Sequence, residues 1–314
     1  MKEIGKTIIL WLWLSSVESL ELICVRRNEG VIFYDTEKNI FIRFWLKEYI
    51  KKEFEIQKKF INYNFDVPQI LFNKEVDNNY FLYSEKNLWK DPIWIEIKQK
   101  VISYKEWFSN LYNVFEKISI AQKETINNKW NIEELKDNLN IEKFKKESLE
   151  LGIFNINFIE ELYKKIFNDI QEKGIYCLTH WDFNSRNIFK NWFIDVEDSY
   201  NGLLWYDLIT LTTHLYWFEI SWKRSISFSF EVSDIKKLFK LYNNIFSTKI
   251  EDTFTFLFLL RWIWACSWMW KFPEEQKYRF NRFKKYADKY LKWENILESF
   301  FDEVDKVNNI LKAK

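Results

Sequence analysis

The chain reads as an α+β protein of two lobes, a small antiparallel sheet carrying one helix and then a larger, mainly helical part. Three observations predict this. Short runs rich in β-branched and aromatic residues crowd residues 1–90. Long segments with apolar residues at helical spacing fill residues 91–314. Only five Gly and three Pro occur in 314 residues, few for a chain made of tight turns.

The elements follow in order. Leu22-Ile-Cys-Val-Arg-Arg27, Val31-Ile-Phe-Tyr34 and Asn39-Ile-Phe-Ile-Arg-Phe44 are β-rich, with turn residues between them, and predict a meander. Lys47 to Tyr63 carries Ile50, Phe54 and Phe60 among charges, which predicts an amphipathic helix. Gln69-Ile-Leu-Phe72 and Tyr80-Phe-Leu-Tyr83 resume strand, and the polar stretch Ser84 to Lys90 is the natural hinge. Helices are expected over Trp94–Phe115, Ile132–Ser148, Ile156–Lys173, Leu203–Phe218, Val232–Phe246, Thr253–Trp270 and Glu274–Val307.

Composition narrows the function. Apolar residues are 47% and aromatics 20%, which excludes a disordered chain. With 47 basic and 46 acidic residues there is no cationic surplus for a phosphate backbone, so nucleic acid is excluded as a partner. Cys24, Cys177 and Cys266 are far apart in apolar surroundings, as buried reduced thiols of a cytoplasmic protein would be. Thr7 to Leu14 is too short to span a bilayer, and Arg261 interrupts Thr253 to Trp270. The latter is expected to be a buried helix with Arg261 snorkelling or paired.

The stretch richest in chemistry is Leu178-Thr-His-Trp-Asp-Phe-Asn-Ser-Arg-Asn-Ile-Phe189, followed by Phe193-Ile-Asp-Val-Glu197. It reads H-x-D-x-x-x-x-N, then an apolar run, then an aspartate at a strand end. Phosphoryl transfer from ATP needs one carboxylate to hold the acceptor hydroxyl, plus an amide oxygen and a second carboxylate to hold magnesium. The apolar runs Ile175–Leu178, Asn187–Phe189 and Trp192–Ile194 read as short strands around a polar loop. The bland alternative is a hairpin with chance acids in a chain that is 30% charged.

This segment resembles the core of the aminoglycoside phosphotransferase and choline kinase superfamily, whose members have a protein-kinase-like fold. The resemblance implies ATP and Mg²⁺ as cofactors and a small-molecule hydroxyl as acceptor. It implies Asp182 as catalytic base, His180 as a brace of the loop, Asn187 and Asp195 as magnesium ligands, and Asp207 as a support from the following helix. Arg43 stands where a kinase carries the cation that meets ATP phosphates, and a guanidinium can fork onto phosphate and carboxylate together. Glu53 shares the inward face of its helix with Ile56 and Phe60, whereas Glu55 lies about 200° round, so Glu53 is the expected partner. Asn28 and Gly30 are candidates for the phosphate-covering loop, although the strict glycine motif of protein kinases is missing.

For the acceptor, the resemblance leans to an amino alcohol such as choline or ethanolamine. Glu197 follows the metal aspartate by two, and Trp264 and Trp268 share a face of a Trp-rich late helix like the one lining the ammonium pocket of choline kinases. An aminoglycoside or sugar acceptor, and a nucleotide-binding pseudokinase without catalysis, are the alternatives. A protein kinase is disfavoured, because no Asp-Phe-Gly or Ala-Pro-Glu occurs.

Overall fold

The computed structural model describes residues 2–12, 14–25, 30–88, 92–127, 132–196, 199–220, 229–267 and 273–312. Five antiparallel strands, β1 (Leu20–Val25), β2 (Val31–Asp35), β3 (Ile40–Leu46), β4 (Ile70–Val76) and β5 (Tyr80–Lys86), form one sheet in the order β1-β2-β3-β5-β4. β3 is central, and its alternation sorts the side chains. Ile42 and Phe44 face one layer, while Arg43 and Trp45 face the other. Both faces are covered, so the strand is apolar along its length, and Arg43 is the exception.

On the Arg43 face lies α2 (Lys47–Asn62), packed on β3 and β5 by Ile50 and Phe54, while its Ile56 and Phe60 join the larger core, Phe60 edge-on to Phe65 and Phe193. On the other lies α1 (Lys2–Trp11), a helix the sequence did not suggest. Its Gly5 rests on Phe44, Val31 and Phe33, and a Cβ there would stand 2.8 Å from Phe44 Cδ1. The apolar Thr7–Leu14 stretch therefore begins in a helix whose Ile9 completes the core on this side of the sheet.

The rest of the chain is α3 (Ile93–Lys98), α4 (Tyr104–Glu124), α5 (Ile132–Leu139), α6 (Ile141–Glu150), α7 (Ile156–Lys173), a two-stranded ribbon of β6 (Tyr176–Thr179) and β7 (Tyr200–Leu203), then α8 (Tyr206–Ile220), α9 (Val232–Phe246), α10 (Glu251–Ser267), α11 (Pro273–Leu291) and α12 (Ile296–Lys312). α10 is the axis of this part, in contact with α5, α6, α7, α8, α11 and α12. It is apolar nearly all round because neighbours surround it. Among the described residues no helix is long and apolar enough to cross a membrane.

Three expected helices are broken in two. Lys100 (φ 59°), Asn140 (φ 53°) and Trp293 (φ 63°) adopt left-handed backbone between α3 and α4, α5 and α6, and α11 and α12. Asparagine tolerates that region, but Lys and Trp give no such signal in a sequence. The apolar runs at 187–189 and 192–194 meet only through a bridge between Ile188 and Phe193, and the true partner of β6 is β7. Cys24 is exposed, contrary to expectation, because β1 is an edge strand; Cys177 and Cys266 are buried.

Candidate active site

β6 delivers the chain to His180, and the loop to Asp195 is held by its own polar groups. His180 Nε2 meets the carbonyl of Ile194 at 2.7 Å. A carbonyl only accepts, so Nε2 carries the proton and donates. The ring is buried, edge-on to Phe183 and Phe193, and so joins the two ends of the loop. Asn187 is fastened twice: its Nδ2 donates to the Asp182 carbonyl at 3.1 Å, and its own carbonyl accepts from the Ile194 amide at 3.0 Å. One residue thus sets the stretches of Asp182 and Asp195 side by side. With its nitrogen engaged, Asn187 keeps its side-chain oxygen for another partner.

The loop is strained where it turns. Trp181 (φ 69°) and Asp195 (φ 68°) are left-handed without being glycine, a conformation costing about 1–2 kcal/mol per residue. Asp207, in the first turn of α8, clamps the first of these. Its Oδ1 accepts from the Trp181 amide and its Oδ2 from the His180 amide, both at 2.9 Å, and Gln122 of α4 donates to Oδ2 at 2.8 Å. Burial raises the Asp207 pKa, while His180 and these donors oppose the rise. The Trp181 ring stacks on Tyr206 at 3.8 Å between centroids. Asp182 itself stays partly open, with Asn184 Nδ2 donating to its Oδ2 at 2.9 Å.

The sheet supplies the opposite wall. Arg43 Nη1 donates to Glu53 Oε1 at 2.6 Å, while Glu55 is exposed. A second acid, Glu85 of β5, was not foreseen. Arg43 Nε donates to its Oε1 at 2.9 Å, Nη2 lies 2.8 Å from the same oxygen, and Gln57 donates to Oε2 at 2.8 Å. Tyr83 completes the network by donating to Glu53 at 3.1 Å. Coulombic attraction to these acids and hydrogen bonding to Glu85 outweigh burial, and the Arg43 pKa lies well above its usual value. Of five guanidinium N–H groups, three are engaged and two remain for a phosphate oxygen. Sequence periodicity could have found Glu85, which follows Phe81 and Tyr83 on the same strand face.

Between these walls lies a cleft of about 190 Å³ lined by Ile23, Ile32, Phe41, Leu88, Trp192 and Ile194, with Arg43, Glu85 and Asp195 at its polar margin. Flat apolar walls beside a fixed cation suit a planar base carrying phosphates. Trp192, stacked on Phe189 at 4.0 Å, is a wall residue that sequence reasoning overlooked. A larger groove of about 620 Å³ between α2 and the β4–β5 turn is open and lined mostly by lysines, glutamates and asparagines, with none of these groups.

Not every expected residue joins the cleft. Gly30 is packed under Trp45, where a Cβ would fall 1.7 Å from Cε3, so its missing side chain is explained by that ring. Trp264 is buried in α10 with the guanidinium of Arg261 3.9 Å above its ring. Asn28, Glu197 and Trp268 lie outside the described residues. No cluster of three or more His, Cys, Asp or Glu fit for a metal occurs among the described residues. Two hard oxygen donors from Asn187 and Asp195 nevertheless fit magnesium, which commonly takes one or two protein ligands and completes its shell with phosphate and water.

No protein-family model matches the chain, and no curated protein matches it. Solved structures do. A Ralstonia eutropha protein assigned to the aminoglycoside phosphotransferases aligns over 91% of this chain and 98% of its own, with 11% identity and a TM-score of 0.63. A Streptomyces rimosus aminoglycoside phosphotransferase in complex with ADP and streptomycin aligns over 86% and 100%, with 10% identity and a TM-score of 0.54. A Plasmodium vivax ethanolamine kinase aligns over 86% and 84%, with 14% identity and a TM-score of 0.52. The chain has the fold that these small-molecule kinases share.

Proposed function

We propose that the protein is an ATP-dependent phosphotransferase acting on a hydroxyl of a small molecule. One observation carries this reading: Arg43 with its acids and Asp195 line one cleft, and Asn187 ties the neighbourhood of Asp195 to that of Asp182. Each is a part that phosphoryl transfer requires. A pseudokinase would be expected to lack Asp182, Asn187 or Asp195, and all three are present.

In this reading the base of ATP lies between Ile32, Phe41 and Trp192, and Arg43 steadies its phosphates. Asn187 and Asp195 would hold magnesium, which would supply neutralisation of the phosphate charge. Asp182 orients the acceptor hydroxyl for in-line attack and accepts its proton late. His180 and Asp207 keep the loop in its strained form so that Asp182 needs no rearrangement.

The sequence leaned to an amino alcohol as acceptor. Trp264 weakens that choice, because a cation of the protein already lies over its ring. A coupled ADP-release screen over choline, ethanolamine, thiamine, aminoglycosides and simple sugars tests the whole reading. Turnover with at least one hydroxyl acceptor is expected, reduced about 10²–10⁴-fold in Asp182→Ala with MgATP binding retained. Undiminished turnover in Asp182→Ala, or a wild-type chain that fails to bind MgATP, would refute it.

A further inference from the structure

α10 brings a cation to the catalytic loop that the reaction described above does not use. Arg261 has no exposed surface. Its Nη2 lies 3.4 Å from Asp182 Oδ1, a long contact for an ion pair, and its Nε and Nη1 make no hydrogen bond. The oxygens of nearby Asp207 are taken by two backbone amides and Gln122. Burial raises the pKa of the Tyr206 hydroxyl; the charge of Arg261 and a hydrogen-bonding approach from it oppose the rise, so Tyr206 stands close to the guanidinium although the contact falls short of ordinary hydrogen-bond geometry.

A purely structural ion pair would be expected to look different. A guanidinium that fastened α10 to the loop would place two N–H groups on the carboxylate at ordinary length. Here one long contact is made and two nitrogens are idle, and unpaired buried charged donors are costly. Trp264 holds the fork flat from one side, which fixes its plane in advance of any partner. Asp182, whose side chain is 27% exposed, is the open member of the pair and marks the route of approach. A rigid guanidinium of this kind is matched to carboxylate or phosphate oxygens.

We propose that Arg261 is an oxyanion receptor on the acceptor side of the site. Its idle N–H groups meet an oxyanion that arrives with the substrates, either the transferring phosphoryl group or an acidic substituent of the acceptor a few bonds from the reacting hydroxyl. The proposal rests on the kinase reading and sharpens it. It gives the acceptor side of the site a fixed donor for an oxyanion next to the Asp182 carboxylate.

The test compares wild type, Arg261→Gln and Arg261→Lys on acceptor pairs that differ by one acidic group, glycerate against glycerol and gluconate against glucose. If the oxyanion belongs to the acceptor, wild type favours the acidic member at least tenfold in kcat/KM, through KM, and Arg261→Gln abolishes the preference. If it is the phosphoryl group, Arg261→Gln lowers kcat at least tenfold for both members, and Arg261→Lys restores part. Kinetics of the folded Arg261→Gln protein within twofold of wild type on both measures would overturn the proposal, even if its Tm fell. A second arm needs no turnover. Inorganic phosphate titrated calorimetrically into protein saturated with MgADP should bind wild type at least tenfold more tightly than Arg261→Gln; equal or absent binding overturns the proposal. Should MgADP itself fail to bind, the kinase reading falls, and phosphate titrated into the nucleotide-free chain decides Arg261 separately by the same comparison.

Discussion

Gly30→Ala separates two uses of the one glycine near the expected phosphate loop. A Cβ at Gly30 would lie 1.7, 2.2 and 2.8 Å from Cε3, Cζ3 and Cδ2 of Trp45. Non-bonded carbons rest near 3.5–4.0 Å, so the ring must retreat by roughly 2 Å. It has no room to do so, because Trp45 is 2% exposed and clusters with Ile50, Phe54, Phe81 and Tyr83. Overpacking of a filled core costs about 1–3 kcal/mol, and a contact this short puts the variant at about 3 kcal/mol. For 314 residues, unfolding entropy converts 1 kcal/mol to about 1.5 °C, so a fall of about 4–5 °C in Tm is expected. Trp45→Leu alone costs about 2–4 kcal/mol through the space it leaves. In the double variant the alanine adds little, which gives a coupling energy of about 2–3 kcal/mol. Thermal and urea unfolding of the four proteins, with MgATP titrations on the folded forms, measure this. Unchanged stability in Gly30→Ala with lost MgATP affinity, not rescued by Trp45→Leu, would sink the packing argument and return Gly30 to the phosphates.

Glu53→Gln and Glu85→Gln should each destabilise by about 1.5–3 kcal/mol, since Arg43 keeps one buried acid, whereas the double variant should lose more than the sum. Simple additivity in urea melts would contradict a shared cation. Cys24 is exposed and lines the cleft, while burial raises the pKa of the Cys177 and Cys266 thiols. Saturating MgADP should therefore slow alkylation of Cys24 selectively, as followed by mass spectrometry of its peptide, and an unchanged rate would place the nucleotide elsewhere. Hydrogen bonds from Lys47 and Lys51 hold the Glu75 carboxyl at about 2, below its usual 4.5. The contribution of Glu75 to stability is fully present above pH 4.5 and disappears as pH falls through about 2. Carboxyl ¹³C titration checks this; an ordinary midpoint would mean that the Lys47 and Lys51 pairs do not persist at this exposed position.

Much of the fold was legible because its signals are local. α7 and α9 end where their apolar periodicity ends, and α2 departs by a single residue. The placing of Glu53 against Glu55 followed from helical geometry alone, as did the separation of Arg43 from Ile42 and Phe44 along β3. α1 escaped notice because its meaning depends on a sheet formed later in the chain: Gly5 is informative only once Phe44 lies beneath it. The breaks at Lys100 and Trp293 escaped notice because a left-handed Lys or Trp is held by its surroundings and leaves no mark in composition.

The candidate site divides in the same way. Spacing by itself put His180, Asp182, Asn187 and Asp195 in one short stretch of chain. An extended chain could still hold Asp182 and Asp195 about 45 Å apart. It is the folded loop, through the hydrogen bonds of Asn187, that sets their stretches side by side. Only the tertiary structure decided what meets that loop. Glu85 from β5 gives Arg43 a second acid, Trp192 walls the cleft, and Arg261 from α10 stands beside Asp182. Those meetings join residues tens of positions apart, and they depend on how helices and sheet pack, a global free-energy minimum that no local window of sequence encodes.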